Sequence, residues 1–426
     1  MNLTERLALE GGEPVVKTPP PHFTWPLIGK EEIDAVVNQL QTGAVSYFRS
    51  AGVVEEFEQK FAQFYDIPFA ISTCSGTAAL HAAFFSLALP RGAEVIAPSY
   101  THLATVFPML HVGLIPVLCD IDDATGNIDP KEIQKQITPR TRAIVVTHQY
   151  GLICDMEAIC FLANKHNLYV IEDCSHAHGA SYNGKLAGTF GDIACFSLQS
   201  HKIVWGGEGG ILITKHPPLA ERASLFAHFR QVKEYTSKGN EDLVASGYGL
   251  KNRLHPLAAA LALVQLGKTK TTIEARKRNY LCLEQNLAGV KGVRLLATPE
   301  GADRGGFFKF LLKYIPEELS NLSQEKYVEA LKAEGVSEIT SGKLAVPVHC
   351  FPFFQRPDNG FIQLYFGEFI NRGERRLLYK QGDFPSAERF SETTLQLPAF
   401  TEPSESIIEE YAVAMKKVAK LCRELK

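Results

Sequence analysis

A chain of 426 residues, 45% hydrophobic and 21% charged, is long enough for a large core and a second lobe. Its formal net charge of −3 offers no footing to a nucleic-acid backbone or an anionic membrane surface, and its most apolar helical stretch, LHPLAAALALVQLG, is too short and interrupted to span a bilayer. Nine cysteines, an odd number with no CxxC pair and no Cys/His metal-ligand spacing, argue against a disulfide framework and a metal site and for reduced thiols in the cytoplasm.

In chain order, the opening MNLTERLALEGG lacks the basic region and apolar core of a secretory signal, and residues 1–30, with PPPHFTWP at 19–26, read as an extended segment. Apolar runs at 69–73, 94–97, 115–119, 143–147, 168–172, 193–197 and 210–214 read as buried strands, because apolar and β-branched residues continue without alternation. Helical stretches near 54–65, 76–88 and 155–166 separate them. This alternation predicts an α/β fold, a mainly parallel seven-stranded sheet with helices on both faces, in a large domain spanning 31–267. From 268 the texture changes to a charged helix (KTKTTIEARKRNYLCLEQNL), the strand-like FFKFLLKYI and a helix at 323–334, which predicts a smaller C-terminal α/β lobe over 268–426. The Pro/Phe-rich, charged stretch 346–386 reads as loops that shape a substrate pocket.

The chemistry concentrates in VIEDCSHAHGASYNGKLAGTFGDIACFSLQSHKIVWGGEGG, residues 170–210. Asp173 ends a buried strand, where α/β sheets place their ligands, and a buried carboxylate beside a pyridinium nitrogen keeps that ring an electron sink. Lys202, between Ser200 and a glycine run broken by Glu208, is the candidate for a Schiff base with a cofactor aldehyde and for the proton shuttle that follows. The pair suits pyridoxal phosphate. Two surface charges at this spacing are the plain alternative. Two other cofactor motifs fail: GKT at 267–269 lacks the upstream glycine of a phosphate loop, and no GxGxxG follows the first strand.

EDCSHAHGA, FSLQSHK and GGEGG, in this order and spacing, resemble the DegT/DnrJ/EryC1/StrS family of sugar and cyclitol aminotransferases. CSGTAAL (74–80) is similar to the family's phosphate-binding turn and APSYTHLAT (97–105) to its cofactor-face segment; VVTHQYG (145–151), GLKNRLHPLAAA (249–260) and LQLPAF (395–400) fall in register. The resemblance runs from LALEGGEPV (7–15) to the final helix, and implies the fold type I architecture of pyridoxal phosphate enzymes. It further implies that Lys202 forms the internal aldimine, Asp173 pairs with the ring nitrogen and His176, at a position commonly glutamine, bonds the ring hydroxyl. Ser75, Gly76 and Thr77 then hold the phosphate at a helix N-terminus, Ser197 completes the cradle, and His102 stands where relatives place an aromatic ring over the cofactor face. Many members carry a GYNYR-like segment that reaches the neighbouring subunit's phosphate. Here GYGLKNR (247–253) puts Lys251 at that position, with Asn252 as the competing assignment, in a homodimer with shared active sites.

Plainer roles stand beside these: Ser75 and Thr77 as helix caps, Glu208 as a turn residue bonding backbone, and His81, His111, His166 and His178 as structural hydrogen-bonding groups. The function expected is transfer of an amino group from glutamate or glutamine to a keto-sugar or keto-cyclitol, in amino-sugar, aminocyclitol or antibiotic biosynthesis, with the cofactor cycling between pyridoxal and pyridoxamine phosphate. The rivals are a pyridoxamine phosphate-dependent sugar dehydratase, whose relatives replace the lysine by a histidine such as His201, and a non-catalytic cofactor-binding regulator.

Overall fold

The computed structural model describes residues 6–46, 51–228, 247–356, 360, 361, 363, 367 and 377–425. Seven strands form its main sheet: β1 (Phe69–Thr73), β2 (Glu94–Pro98), β3 (Ile115–Cys119), β4 (Thr141–Thr147), β5 (Tyr169–Asp173), β6 (Ile193–Ser197) and β7 (Gly210–Thr214). Their spatial order is β1-β7-β6-β5-β4-β2-β3. The five strands from β6 to β3 run parallel, while β7 lies antiparallel to both β6 and β1. Parallel strands must be joined by crossovers, and the helices that make them cover both faces.

Helices α1 (Lys30–Gln41), α2 (Val53–Tyr65), α3 (Gly76–Ser86), α4 (Leu103–His111), α5 (Pro130–Gln136), α6 (Met156–His166) and α7 (Pro217–Ala227) belong to this lobe. In α2 the apolar residues Val54, Phe57, Phe61 and Tyr65 recur at helical spacing and are all buried. The alanine-rich α3 is capped by Ser75, whose hydroxyl accepts from the Ala78 amide at 3.1 Å.

The sheet separates two apolar clusters, and β5 shows the alternation that divides them: Val170 packs in one and Ile171 in the other. Successive strand residues face opposite sides, so Glu172 and Asp173 part in the same way.

Helix α8 (Pro256–Leu287) runs without a break across 267–268, where the composition changes. Its first half packs Ala259, Ala262 and Leu266 on the large lobe, and its second half sends Tyr280, Leu283 and Leu287 into the small one. The change of texture therefore marks a change of neighbours, and the expectation of a separate helix beginning there is corrected. The small lobe is an antiparallel sheet of β8 (Val293–Leu295), β9 (Lys309–Tyr314), β10 (Thr340–Ser341) and β11 (Thr394–Pro398), ordered β8-β9-β11-β10, with helices α9 (Gln324–Ala333), α10 (Pro385–Thr393) and α11 (Glu405–Leu421).

The amino-terminal segment is tied to this last lobe. Leu7 and Val16 lie in its core, and the Val16 amide donates to the Glu334 carbonyl at 2.9 Å. The buried Glu334 carboxylate accepts from the Ala8 and Val15 amides and from Lys417 Nζ.

Candidate active site

A cavity of about 680 Å³ opens where the carboxyl ends of β4, β5 and β6 meet the N-termini of α3 and α4, with a second wall from the small lobe. It gathers Ser75, Gly76, Thr77, His102, Asp173, His176, Ser197 and Lys202. Lys251 and its rival Asn252 lie outside it, Lys251 being exposed and bridged through its backbone to His228. The backbone of Asn252 is engaged at home, its carbonyl accepting from the Cys74 amide at 2.7 Å.

The end of the cavity at α3 is built by close approach. A Cβ added at Gly76 would lie 2.9 Å from the Ser197 Cβ, so only glycine lets the α3 turn meet the end of β6. The Gly76 and Thr77 amides are the first of α3, where the helix leaves donors unspent and carries partial positive charge. The Ser75 hydroxyl caps α3, so the plainer reading of that side chain holds at the same residue that lines the cavity. The Thr77 side chain is exposed and makes no hydrogen bond among the described residues.

Asp173 is held as an aimed carboxylate. Oδ2 accepts from Thr105 Oγ1 at 2.7 Å and Oδ1 from the Ser175 amide at 3.1 Å, while the Thr101 and Thr147 hydroxyls, 2.8 Å apart, stand behind. It is 3% exposed yet lines the cavity, leaving acceptor capacity for a protonated ring nitrogen.

Lys202 is also buried, and burial pushes its amine down to about 7; the Asp173 carboxylate opposes this shift and Lys309 adds to it. An amine with that pKa exchanges protons readily near neutrality. Its neighbour His201 is exposed and lies outside the cavity, which rules against the histidine of a dehydratase at this slot.

Burial drives the His176 pKa well below the usual range, helped by Lys202, His102 and His178. The Tyr150 amide, which can only donate, lies 3.4 Å from His176 Nδ1, so the ring proton sits on Nε2. That is the donor a phenolate-like ring oxygen needs. His102 lies exposed on the rim and its Nδ1 caps α4, accepting from the Ala104 amide at 3.1 Å.

Two structural roles are corrected. His178 is buried beside Phe196 with Nε2 unpartnered among the described residues, and burial with Lys202 and Arg276 holds it at about 3, so it packs as a neutral ring without the hydrogen bonds expected of it. Glu208 is exposed at the cavity edge, and its carboxylate bonds no backbone among the described residues.

Sequence reasoning missed Tyr100 and Tyr150 of the large lobe, whose hydroxyls lie 3.1 Å apart, and the second wall: Gln396, which donates to Tyr150 Oη at 3.2 Å, and Phe308. Tyr100, Tyr150 and Gln396 fall in stretches already matched to the resemblance, and Phe308 lies in the strand-like run. Of the 346–386 stretch, Val346 and Phe351 do line the cavity; 357–359, 362, 364–366 and 368–376 lie outside the described residues.

The cavity's donor set fits pyridoxal phosphate: amides at a helix N-terminus for the phosphate, a buried carboxylate for the ring nitrogen, an Nε2 proton for the ring hydroxyl and a buried amine for the aldehyde. Comparison with known proteins agrees. The chain is 31% identical over 404 residues to the spore coat polysaccharide biosynthesis protein SpsC of Bacillus subtilis, covering 93% of this chain and 97% of that one. It is 33% identical over 341 residues to the L-glutamine:2-deoxy-scyllo-inosose aminotransferase of Streptomyces paromomycinus, covering 78% and 80%. The structure of DesI determined with its TDP-sugar product superposes with a TM-score of 0.78 at 26% identity, over 99% of this chain and 98% of that one. The profile of the DegT/DnrJ/EryC1/StrS aminotransferase family matches residues 26–361. The chain belongs to that family and is a pyridoxal phosphate-dependent aminotransferase with the fold type I architecture.

Proposed function

We propose that this enzyme moves an amino group from glutamate or glutamine to the ketone of a sugar or cyclitol, in the making of an amino sugar, an aminocyclitol or an antibiotic built from one. The observation that carries the reading is the convergence of Lys202, Asp173 and the N-terminus of α3 on one cavity. Bound there, pyridoxal phosphate supplies an aldehyde that takes up the amino group and a ring that stores electrons, and it alternates with pyridoxamine phosphate.

The chain's own groups do the rest. Asp173 holds the ring nitrogen's proton, and Thr105 and Ser175 fix the carboxylate's direction. His176 would donate a hydrogen bond from Nε2–H to the ring oxygen, the α3 amides would hold the phosphate, and His102 would cover a face. Lys202 would hold the cofactor's aldehyde carbon, and its Nζ, once free, would carry the proton to and from the substrate carbon. Names of relatives such as the inosose aminotransferase support a polyhydroxylated ketone.

The enzyme is read as a homodimer in which Lys251 reaches the partner's phosphate. In support, α1 docks on α8 through Glu32, bonded to Gln265 and Lys268, and leaves Ile33, Val37 and Leu40 exposed; Tyr248 and Leu250 are exposed beside Lys251. A cytoplasmic location fits nine cysteines none of which is bridged, and no helix among the described residues is long and apolar enough to cross a membrane.

The test is spectroscopic. Full-length protein loaded with pyridoxal phosphate should change absorbance on addition of glutamate or glutamine and recover it on addition of the right ketone from a panel of sugars, nucleotide sugars and cyclitols. Loaded protein that responds to neither donor would sink the reading.

A further inference from the structure

The small lobe goes to unusual lengths to bring one apolar ring to the catalytic amine. Phe308 stands just before β9, in the cavity, with Lys202 Nζ 3.8 Å from its ring centroid and the His176 imidazole stacked on it at 4.0 Å and 7°.

The backbone that delivers it is strained and clamped. Phe307 has φ +38°, a region that a non-glycine side chain rarely visits, and its ring is turned into the small-lobe core while that of Phe308 faces the cavity. Before it, a Cβ on Gly306 would meet the His176 carbonyl oxygen at 2.3 Å, so this strand lies directly on the cofactor-binding turn. Arg276 secures the carbonyls: Nη1 donates to Gly306 at 2.8 Å and to Phe307 at 3.3 Å, with its guanidinium stacked over Trp25. Strain and a buried cation are costly, and they persist where the surroundings over-determine a geometry.

We propose that Phe308 is a positioning residue for Lys202: its ring is the seat on which the lysine's amino group rests whenever that group is not bonded to cofactor, and the wedge that keeps His176 in register. The inference rests on Lys202 being the group that bonds the cofactor. A cation over an aromatic face is stabilised by the ring quadrupole, most of all where water is excluded. The ring therefore counters part of the desolvation at Lys202, keeps the amine over the cavity rather than turned away, and stops the imidazole from rotating out of its bond with the Tyr150 amide. The other charged or titratable groups facing Lys202 are Asp173, Lys309, His176, His178 and His201, of which His176 is the one stacked on the Phe308 ring.

The experiment reads Lys202 itself. Full-length protein is labelled competitively with acetic anhydride across pH, and the Lys202 peptide is followed by mass spectrometry, with and without pyridoxal phosphate. Without cofactor the wild-type midpoint should lie at about 7. Phe308→Leu, and Phe308→Met as a nearer match in volume, should lower it by about one pH unit, and Phe308→Tyr should restore it. A midpoint unchanged or raised in folded Leu and Met variants would overturn the proposal, because a ring that only excludes water would, on removal, let the pKa rise. With cofactor, wild-type Lys202 should be protected. A Lys202 that stays reactive under saturating pyridoxal phosphate refutes the lysine assignment and leaves the midpoint comparison standing.

Discussion

The two sides of β5 carry adjacent carboxylates with opposite fates. On one side Glu172 is sealed: it accepts from His148 Nε2 at 3.0 Å and from the Gly188, Phe190 and Gly191 amides at 2.7–2.8 Å, so its acceptor sites are filled. On the other, Asp173 has two protein donors and an open cavity. One residue of strand pleat separates a carboxylate that holds the fold from one that is available to a ligand. A motif such as Glu-Asp is thus two instructions, and the number of protein donors on each carboxylate tells which is which.

The comparison predicts that changes on the cavity side cost rate and changes on the closed side cost stability. The largest effect is Lys202→Ala, which should abolish multiple turnover while the thermal midpoint of the cofactor-free protein holds; near-normal steady-state activity would remove Lys202 from the mechanism. Mixed with Lys251→Glu protein under subunit exchange, it should regain activity, because one site of each heterodimer then has both native residues. No recovery despite proven heterodimers would return the crossing role to Asn252.

Next comes Asp173→Asn. A charge pair at ~4 Å is worth about 4 kcal/mol at an effective dielectric near 20, partly offset by desolvation, so the donor half-reaction should slow about a hundredfold with the fold intact. Single-turnover absorbance at an unchanged rate would break the comparison on this side.

On the closed side, Glu172→Ala should destabilise the protein by about 3–5 kcal/mol, since it strands a buried histidine and three amides. Burial works to raise the Glu172 carboxyl, but the hydrogen bond and charge of His148 and the Gly191 and Gly188 amides outweigh it and hold the group below the usual carboxylate range. A depressed pKa stabilises the folded state above the unfolded value of 4.5 and is lost as pH falls toward the folded one. Denaturant titrations of wild type should therefore weaken below that pH, and Glu172→Gln should flatten the acid limb. An equally steep limb in the variant would assign the acid sensitivity elsewhere.

The smallest effect is His102→Phe. It keeps an aromatic face on the rim and loses the α4 cap, so we expect activity within about threefold of wild type and a stability loss of about 1 kcal/mol. Complete loss of activity in a folded, cofactor-loaded variant would give the imidazole a chemical role.

The strands and most helices were legible because fully buried parallel strands leave continuous apolar runs. The first wall of the cavity was legible for a related reason: phosphate and ring-nitrogen groups sit at strand ends and helix starts, which local sequence marks. The second wall was not. Phe308 lies in an apolar run where nothing distinguishes a core ring from a cavity ring, and its assignment needed the Gly306 contact and Arg276, thirty residues upstream. Thr105 ends a segment matched to the resemblance, but nothing in the sequence set its hydroxyl against the Asp173 carboxylate. The change of texture at 268 starts no new helix, because composition follows a helix's neighbours, and α8 changes neighbours without ending.

The tether between Glu334 and the chain's beginning sets an order of events during synthesis. Ala8 leaves the ribosome 326 residues before the carboxylate that binds it. At roughly 5–20 residues per second that is an interval on the order of tens of seconds. Throughout it Leu7 and Val16 have no core to enter, and well before its end every strand of the main sheet has been made. This early stretch is thus among the last to be folded, and a nascent protein stalled before residue 334 should expose Leu7 and Val16 to proteases and chaperones even with the main sheet formed.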